Sequence, residues 1–300
     1  MSICTLAHSP KQLCLDELVA YVRKNKGEVE FVFRFDYTLQ VVMATDWKLY
    51  TNMYKVQNHL SKCKIGDPII FIPESPHKAE FFDDPMKCFN QPDVCCRPLN
   101  GKDVGSAGYL FRMYGAEMFA KILADKVIDD SKIGAWHPVI VANACRFQCS
   151  LGKPIVDNAR DINFLSCMLG NDPELNGDNL IKRIQDYFPH YLVVCACTMG
   201  GLMLPDSKGH KKKDVSAIND WLISNFPDIY ERVGEISLRG VVELILQNAG
   251  VSFVRATHPC LWYSSKYRVV RTVKKKSRKR SLPKKKGILA NKVSKGDTNS

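Results

Sequence analysis

Three hundred residues, 45% of them hydrophobic and 25% charged, can bury a sizeable core, which excludes a mainly disordered chain. No stretch of about 18 apolar residues occurs, and no N-terminal apolar run leads to a small-residue cleavage site, so neither a membrane span nor a secretory leader is expected. The net charge of +12 is unevenly placed: 14 of the 43 Lys/Arg but only one of the 31 Asp/Glu lie from Lys266 onward, so the rest of the chain is close to neutral.

Along the chain, "SPKQLCLDELVAYVRKNKG" (9–27) predicts a helix, with Ser9 as N-cap, Pro10 at the first helical position and Gly27 closing it. Leu13, Leu18, Val19 and Val22 would share its apolar face. "EVEFVFRFD" alternates strictly and predicts a half-buried strand, with "TLQVVMATD" as its hairpin partner. From about residue 66 the pattern changes to four continuous apolar runs: "PIIFI" (68–72), "PVIVA" (138–142), "YLVVCAC" (191–197) and "VSFVRAT" (251–257). Their β-branched content suits parallel strands covered on both faces. Helical stretches separate them: "AGYLFRMYGAEMFAKILADKV", "GDNLIKRIQDYF", "DVSAINDWLISNF" and "SLRGVVELILQNAG".

The expected fold is therefore an α/β domain over residues 66–270, a doubly wound, mostly parallel four-stranded sheet flanked by helices. A helix and β-hairpin extension (1–65) would precede it. A basic tail (271–300), "VKKKSRKRSLPKKKG" and beyond, is too charged to pack and is expected to be disordered alone. The twelve cysteines are scattered, several inside apolar runs, which fits free thiols in a reducing, intracellular compartment, whether nucleoid, cytoplasm or nucleus.

In open α/β sheets ligands bind beyond the carboxyl ends of the strands. The polar clusters fall there: "PESPH" after the first run, "NACRFQCSLG" after the second, "CTMGG" after the third, "THPCLWY" after the fourth. A proline on each side of Glu74 and Ser75 fixes φ twice and stiffens the first of these loops, as suits a carboxylate that must be aimed.

These four clusters resemble the motifs of the uracil-DNA glycosylase superfamily. Some members carry GQDPYH after the first strand, a strand ending in Asn, and HPSP after the last strand; iron–sulfur members carry GEAPG in the first place. In Pro73-Glu74-Ser75-Pro76-His77, Glu74 takes the acidic position, Pro76 matches the proline of GEAPG, and His77 the final histidine of GQDPYH. Asn143 is similar to the base-reading asparagine, and His258-Pro259 to the start of HPSP. Pro73-Glu74 replaces the GQ or GE start, and Cys260 stands where HPSP has serine. The resemblance implies an N-glycosylase that hydrolyses the glycosidic bond of a flipped-out uracil or modified base in DNA. Nothing similar to the four-cysteine pattern of the iron–sulfur members is evident, so neither cluster, metal nor other cofactor is expected.

The chemistry of the residues agrees. Glycosidic cleavage makes an oxocarbenium-like sugar and a base anion; Glu74 can stabilise the former and orient water, and His258 can support the latter. Asn143 offers donor and acceptor together, as a pyrimidine edge requires, while His77 and Gln148 would help line the base pocket. A flipped base needs an aromatic platform, from Phe89, Phe82 or Phe81, and a wedge, from Leu261 or Trp262. Lys211, Lys212 and Lys213, in a basic loop on the same sheet edge, and Lys274, Lys275 and Lys276, in the tail, would contact DNA phosphates. The expected partner is DNA, single- or double-stranded, with no membrane and no second subunit. Each assignment has a plainer counterpart: Glu74 as a salt-bridge partner, His77, Asn143 and His258 as satisfied loop residues, Gln148 as a backbone cap, Leu261 and Trp262 as core. A non-catalytic nucleic-acid-binding protein and a small-molecule nucleoside hydrolase therefore stand as alternatives.

Overall fold

The computed structural model describes residues 14–24, 29–35, 40–43, 49–50, 64–76, 98–99, 106–124, 134–149, 160–199, 203–205, 211–213, 224, 237–268 and 270–272. The chain forms a mixed α/β structure. In chain order the strands are β1 (Glu17–Lys24), β2 (Val29–Phe35), β3 (Gln40–Met43), β4 (Leu49–Tyr50), β5 (Ile69–Ile72), β6 (Trp136–Val141), β7 (Leu192–Cys195), β8 (Met203–Pro205), β9 (Lys211–Lys213), β10 (Phe253–Ala256) and β11 (Val270–Thr272). The helices are α1 (Ala107–Ala124), α2 (Arg160–Leu169), α3 (Gly177–Asp186) and α4 (Leu238–Asn248). Nine strands make one sheet in the order β11-β10-β7-β5-β6-β1-β2-β3-β4, and β8 and β9 pair separately.

The centre of that sheet is parallel. β5 pairs with β6 on one side (Ile70 opposite Ile140) and β7 on the other (Ile70 opposite Val193), and β10 adds to β7 (Val254 opposite Val194). All four residues of β5 and of β7 are buried, because helices cover both faces of the sheet. On one face, Ile70, Ile72, Ile140, Val193 and Cys195 pack with Phe164, Leu180, Ile184 and Val242 of α2, α3 and α4. On the other, Ile69, Phe71, Val139, Val141 and Val194 pack with Phe111, Met118, Phe119 and Ile122 of α1. Gly115 lets α1 approach closely: a Cβ there would lie 2.5 Å from the Phe31 ring. Polar caps fix two helix starts. Asn176 Oδ1 accepts from Asn179 N at 3.0 Å to begin α3, and Ser237 Oγ accepts from Gly240 N at 2.9 Å to begin α4.

The structure corrects the expected N-terminal helix. Residues 17–24 are a strand, antiparallel to β2 and to β6, so the N-terminal segment extends the main sheet. The register against β6 shifts between Leu18 and Ala20, a bulge that breaks the two-residue alternation. Buried positions then fall at Val19, Ala20 and Val22, a spacing that imitates a helix face. Pairing on both sides outweighs the weak local preference. A second correction concerns Lys211–Lys213, expected in a basic loop: they form β9, which pairs antiparallel with β8. A third concerns the tail boundary. Residues 270–272 form β11 on β10, so the expected tail can begin only after Thr272. The expected helix at 214–226 lies, but for Ser224, outside the described residues. No helix among the described residues is long and apolar enough to cross a membrane.

Candidate functional site

The four parallel strands end on one edge, and the exit segments of β5, β6 and β7 are tied together by main-chain bonds. Ala142 N donates to Phe71 O at 3.0 Å and Ala196 N to Ile72 O at 2.8 Å, extending the ladders past the strands. Beyond them, Ala144 N donates to Pro73 O and Cys145 N to Glu74 O, both at 3.0 Å. The Cys197 thiol also donates to Pro73 O, at 3.3 Å. Pro73 has no N–H and acts purely as an acceptor, here for the exit segments of β6 and β7 together. The "PESP" turn is therefore clamped between its two neighbours, and Glu74 within it is 4% exposed. Burial pushes the Cys197 thiol well above its ordinary range; Cys195 adds to this, as do the charges of Glu74 and Glu243.

Asn143, two residues beyond β6, is buried and anchored through both its side chain and its main chain. Its Nδ2 donates to Cys14 Sγ at 3.2 Å, and its carbonyl accepts from Arg183 Nη2 at 2.7 Å. Cys14 precedes β1 and is held by Cys14 N to Arg146 O (2.7 Å) and Arg146 Nε to Cys14 O (3.0 Å). One amide hydrogen of Asn143 is thus committed to the β1 side of β6, away from β5. Arg183, on α3, also donates from Nη1 to Asp16 at 2.5 Å, from Nη2 to Ala144 O at 3.2 Å, and from Nε to Asn179 Oδ1 at 2.9 Å. Burial raises the Asp16 carboxyl above the usual range, with Arg183 acting in the opposite direction.

After β10, His258 caps the short 3-10 turn Pro259–Leu261. Its Nδ1 accepts from Cys260 N at 3.3 Å and lies 3.0 Å from Cys260 Sγ. Accepting from an amide makes Nδ1 the unprotonated nitrogen, which places the ring proton on Nε2. His258 is half-buried. Cys260 thus contacts the imidazole through both its amide and its thiol.

The wedge assignment of Trp262 is overturned. Its side chain is fully buried, stacked on Phe111 at 5.6 Å and edge-on to Phe71 at 6.1 Å, and its Nε1 donates to Thr257 O at 2.8 Å. An indole needs a partner for its N–H when buried, and the strand exit supplies one. Leu261, its neighbour, is 37% exposed, as are Tyr263 and Met199 to a greater degree. Gln148 is buried in the segment after β6. Lys211–Lys213 lie on β9. His77, Phe81, Phe82, Phe89, Lys274, Lys275 and Lys276 lie outside the described residues.

Glu74, Asn143 and His258 each follow a parallel strand, β5, β6 and β10, at the same edge of the sheet, with the Asn143 amide held by Cys14 on the β1 side. Sequence reasoning missed Asp16, Cys14 and Arg183, which hold the middle segment. Arg183 carries no motif: it is one of several polar positions on an amphipathic helix, and only the tertiary fold turns it inward. Compared with known proteins, the chain matches no family model, no curated protein and no solved structure.

Proposed function

We propose that the chain is a uracil-DNA-glycosylase-like enzyme that hydrolyses the N-glycosidic bond of a flipped-out base, uracil or a modified base, in DNA. The observation that carries this reading is the position of Glu74. Numbered along the chain, the parallel strands run second-first-third-fourth across the sheet, so the order reverses between β5 and β7. With helices on both faces, this supports a doubly wound core. In such cores the crevice at the reversal is where ligands bind. Glu74 leaves β5 at that point, buried and clamped by the segments leaving β6 and β7.

In the proposed reaction the bond between the sugar C1′ and the base nitrogen breaks, with its electron pair leaving on the base. The Glu74 carboxylate stabilises the cationic sugar and orients a water molecule, which attacks C1′ and gives its proton to Glu74; that proton ends, by way of solvent, on the departed base anion. The neutral His258 ring, protonated on Nε2, donates to the developing base anion. Asn143 reads the base edge through the part of its amide that Cys14 does not hold. Leu261 fills the gap left in the stack. The basic segment after Thr272 and Lys211–Lys213 add phosphate contacts, in keeping with an intracellular protein that meets DNA.

The test is release of free base from uracil-containing single- and double-stranded oligonucleotides, scored as abasic sites. Glu74→Gln and His258→Ala should each slow release by about 10²–10⁴-fold, the usual contribution of a positioned acid–base group. Base release at the parent rate in both variants would rule the mechanism out. A second reading, a DNA-binding protein without catalysis, is favoured by the hold of Cys14 on Asn143 and of Cys260 on His258. It predicts salt-dependent binding with no abasic product.

A further inference from the structure

Behind the PESP turn, whose Glu74 carbonyl accepts from Cys145 N, three thiols converge. Cys145 and Cys149 lie in the segment leaving β6, and Cys167 lies on α2. All three are buried, and their Sγ atoms lie within 4.8 Å of one another. The Sγ atoms of Cys149 and Cys145 are 3.6 Å apart.

A buried thiol is ordinarily a small hydrophobe. Cys195 answers to that description: it fills a strand position between helices, as a valine would. The trio is different, because two elements deliver three sulfurs to one point. The spacing also has a chemical meaning. Tetrahedral zinc binds thiolates at about 2.3 Å, which sets neighbouring sulfurs about 3.8 Å apart. One separation here is 3.6 Å and none exceeds 4.8 Å, so small side-chain rotations would bring all three sulfurs to a shared ion. Soft thiolate donors select zinc among the common divalent ions, while magnesium and calcium require oxygen.

We propose that Cys145, Cys149 and Cys167 form a structural site for a single thiophilic divalent ion, Zn(II), with an oxygen donor at the fourth position. Binding replaces three thiol protons by one dication. Three thiolates and Zn(II) leave a net single negative charge. The ion would pin the segment carrying Asn143 and Gln148 to α2 whatever reaction the sheet edge performs.

Zinc content of the full chain, purified under reducing conditions without chelator, provides the first measurement; close to one equivalent is expected. Cobalt exchanged for zinc should give thiolate-to-cobalt charge-transfer absorption. That absorption should weaken in Cys145→Ser, Cys149→Ser and Cys167→Ser, and persist in Cys197→Ser, which removes an equally buried thiol outside the trio. Should the serine variants fail to fold, the cobalt spectrum of the unsubstituted chain still decides. A folded chain that takes up neither zinc nor cobalt with a thiolate band overturns the site. So does uptake indifferent to the three substitutions, or iron with inorganic sulfide in place of zinc.

Discussion

Arg183 Nη1 donates to Asp16 Oδ1 at 2.5 Å while its Nη2 donates to the main-chain carbonyl of Asn143 at 2.7 Å, so one guanidinium couples the lead-in of β1 to the exit of β6. Both side chains are nearly enclosed, Arg183 at 11% and Asp16 at 7% exposure. Removing one member of such a pair leaves the other charge buried alone, at a cost of about 3–5 kcal/mol, whereas an exposed pair is worth about 1 kcal/mol or less. Arg183→Met should therefore destabilise the chain by that larger amount in urea denaturation. Combining it with Asp16→Asn should recover part of the loss; strict additivity in the double variant would show that the two groups do not interact.

The same carboxylate makes stability depend on pH in a definite direction. Burial raises the Asp16 carboxyl in the folded chain, more than Arg183 lowers it. A carboxyl with a raised folded pKa binds its proton more tightly when folded, so its contribution is fully present below the unfolded value of about 3.9. That contribution is lost as pH rises through the folded pKa. Relative to Asp16→Asn, the parent should lose stability as pH rises from about 4 through the folded pKa of Asp16, read as the gap between their urea midpoints. If the parent instead gains on the variant over that range, the Arg183 field wins and the assignment of burial as the dominant cause is wrong.

Much of the fold was legible before any coordinates. "PIIFI", "PVIVA" and "YLVVCAC" advertise their strands because coverage on both faces leaves no charged position to interrupt them, and "VSFVRAT" does so despite Arg255, which pairs with Glu243 of α4. β1 was not legible, since its bulge between Leu18 and Ala20 gives a strand the burial spacing of a helix. The chemistry divided in the same way. Glu74, Asn143 and His258 stand beside apolar runs, where the strand-end rule looks for them. The support of Asn143 by Cys14 and Arg183, and the meeting of Cys145 and Cys149 with Cys167, depend on which elements become neighbours in space. No local spacing encodes that.

Leu261 and Trp262 are adjacent yet should behave oppositely. Trp262 fills the core between Phe71 and Phe111, so Trp262→Ala should cost about 3–5 kcal/mol of stability, the usual loss for a large buried aromatic. Leu261 is 37% exposed, and Leu261→Ala should change stability by no more than about 0.5 kcal/mol. If Leu261 fills the vacated stack, that variant should lose base release from double-stranded DNA more than from single-stranded DNA, which has less stacking to disrupt. Equal losses on both substrates, or none, would remove Leu261 from the wedge role.

The basic C-terminal segment should govern the salt dependence of DNA binding, provided the truncation respects β11. Val270, Arg271 and Thr272 pair with Ala256, Arg255 and Val254, so a cut within them strips the edge of the sheet beside the His258 turn. Ending the chain after Thr272 removes the Lys/Arg-rich stretch while leaving that ladder intact. Each phosphate neutralised contributes about 0.9 to the slope of log K against log salt on duplex DNA. The truncated chain should therefore bind with a visibly shallower slope and lower affinity at low salt, while its thermal midpoint stays within a few degrees of the parent's. A slope unchanged by truncation would assign the phosphate contacts to the folded body, with Lys211–Lys213 of β9 the next residues to neutralise.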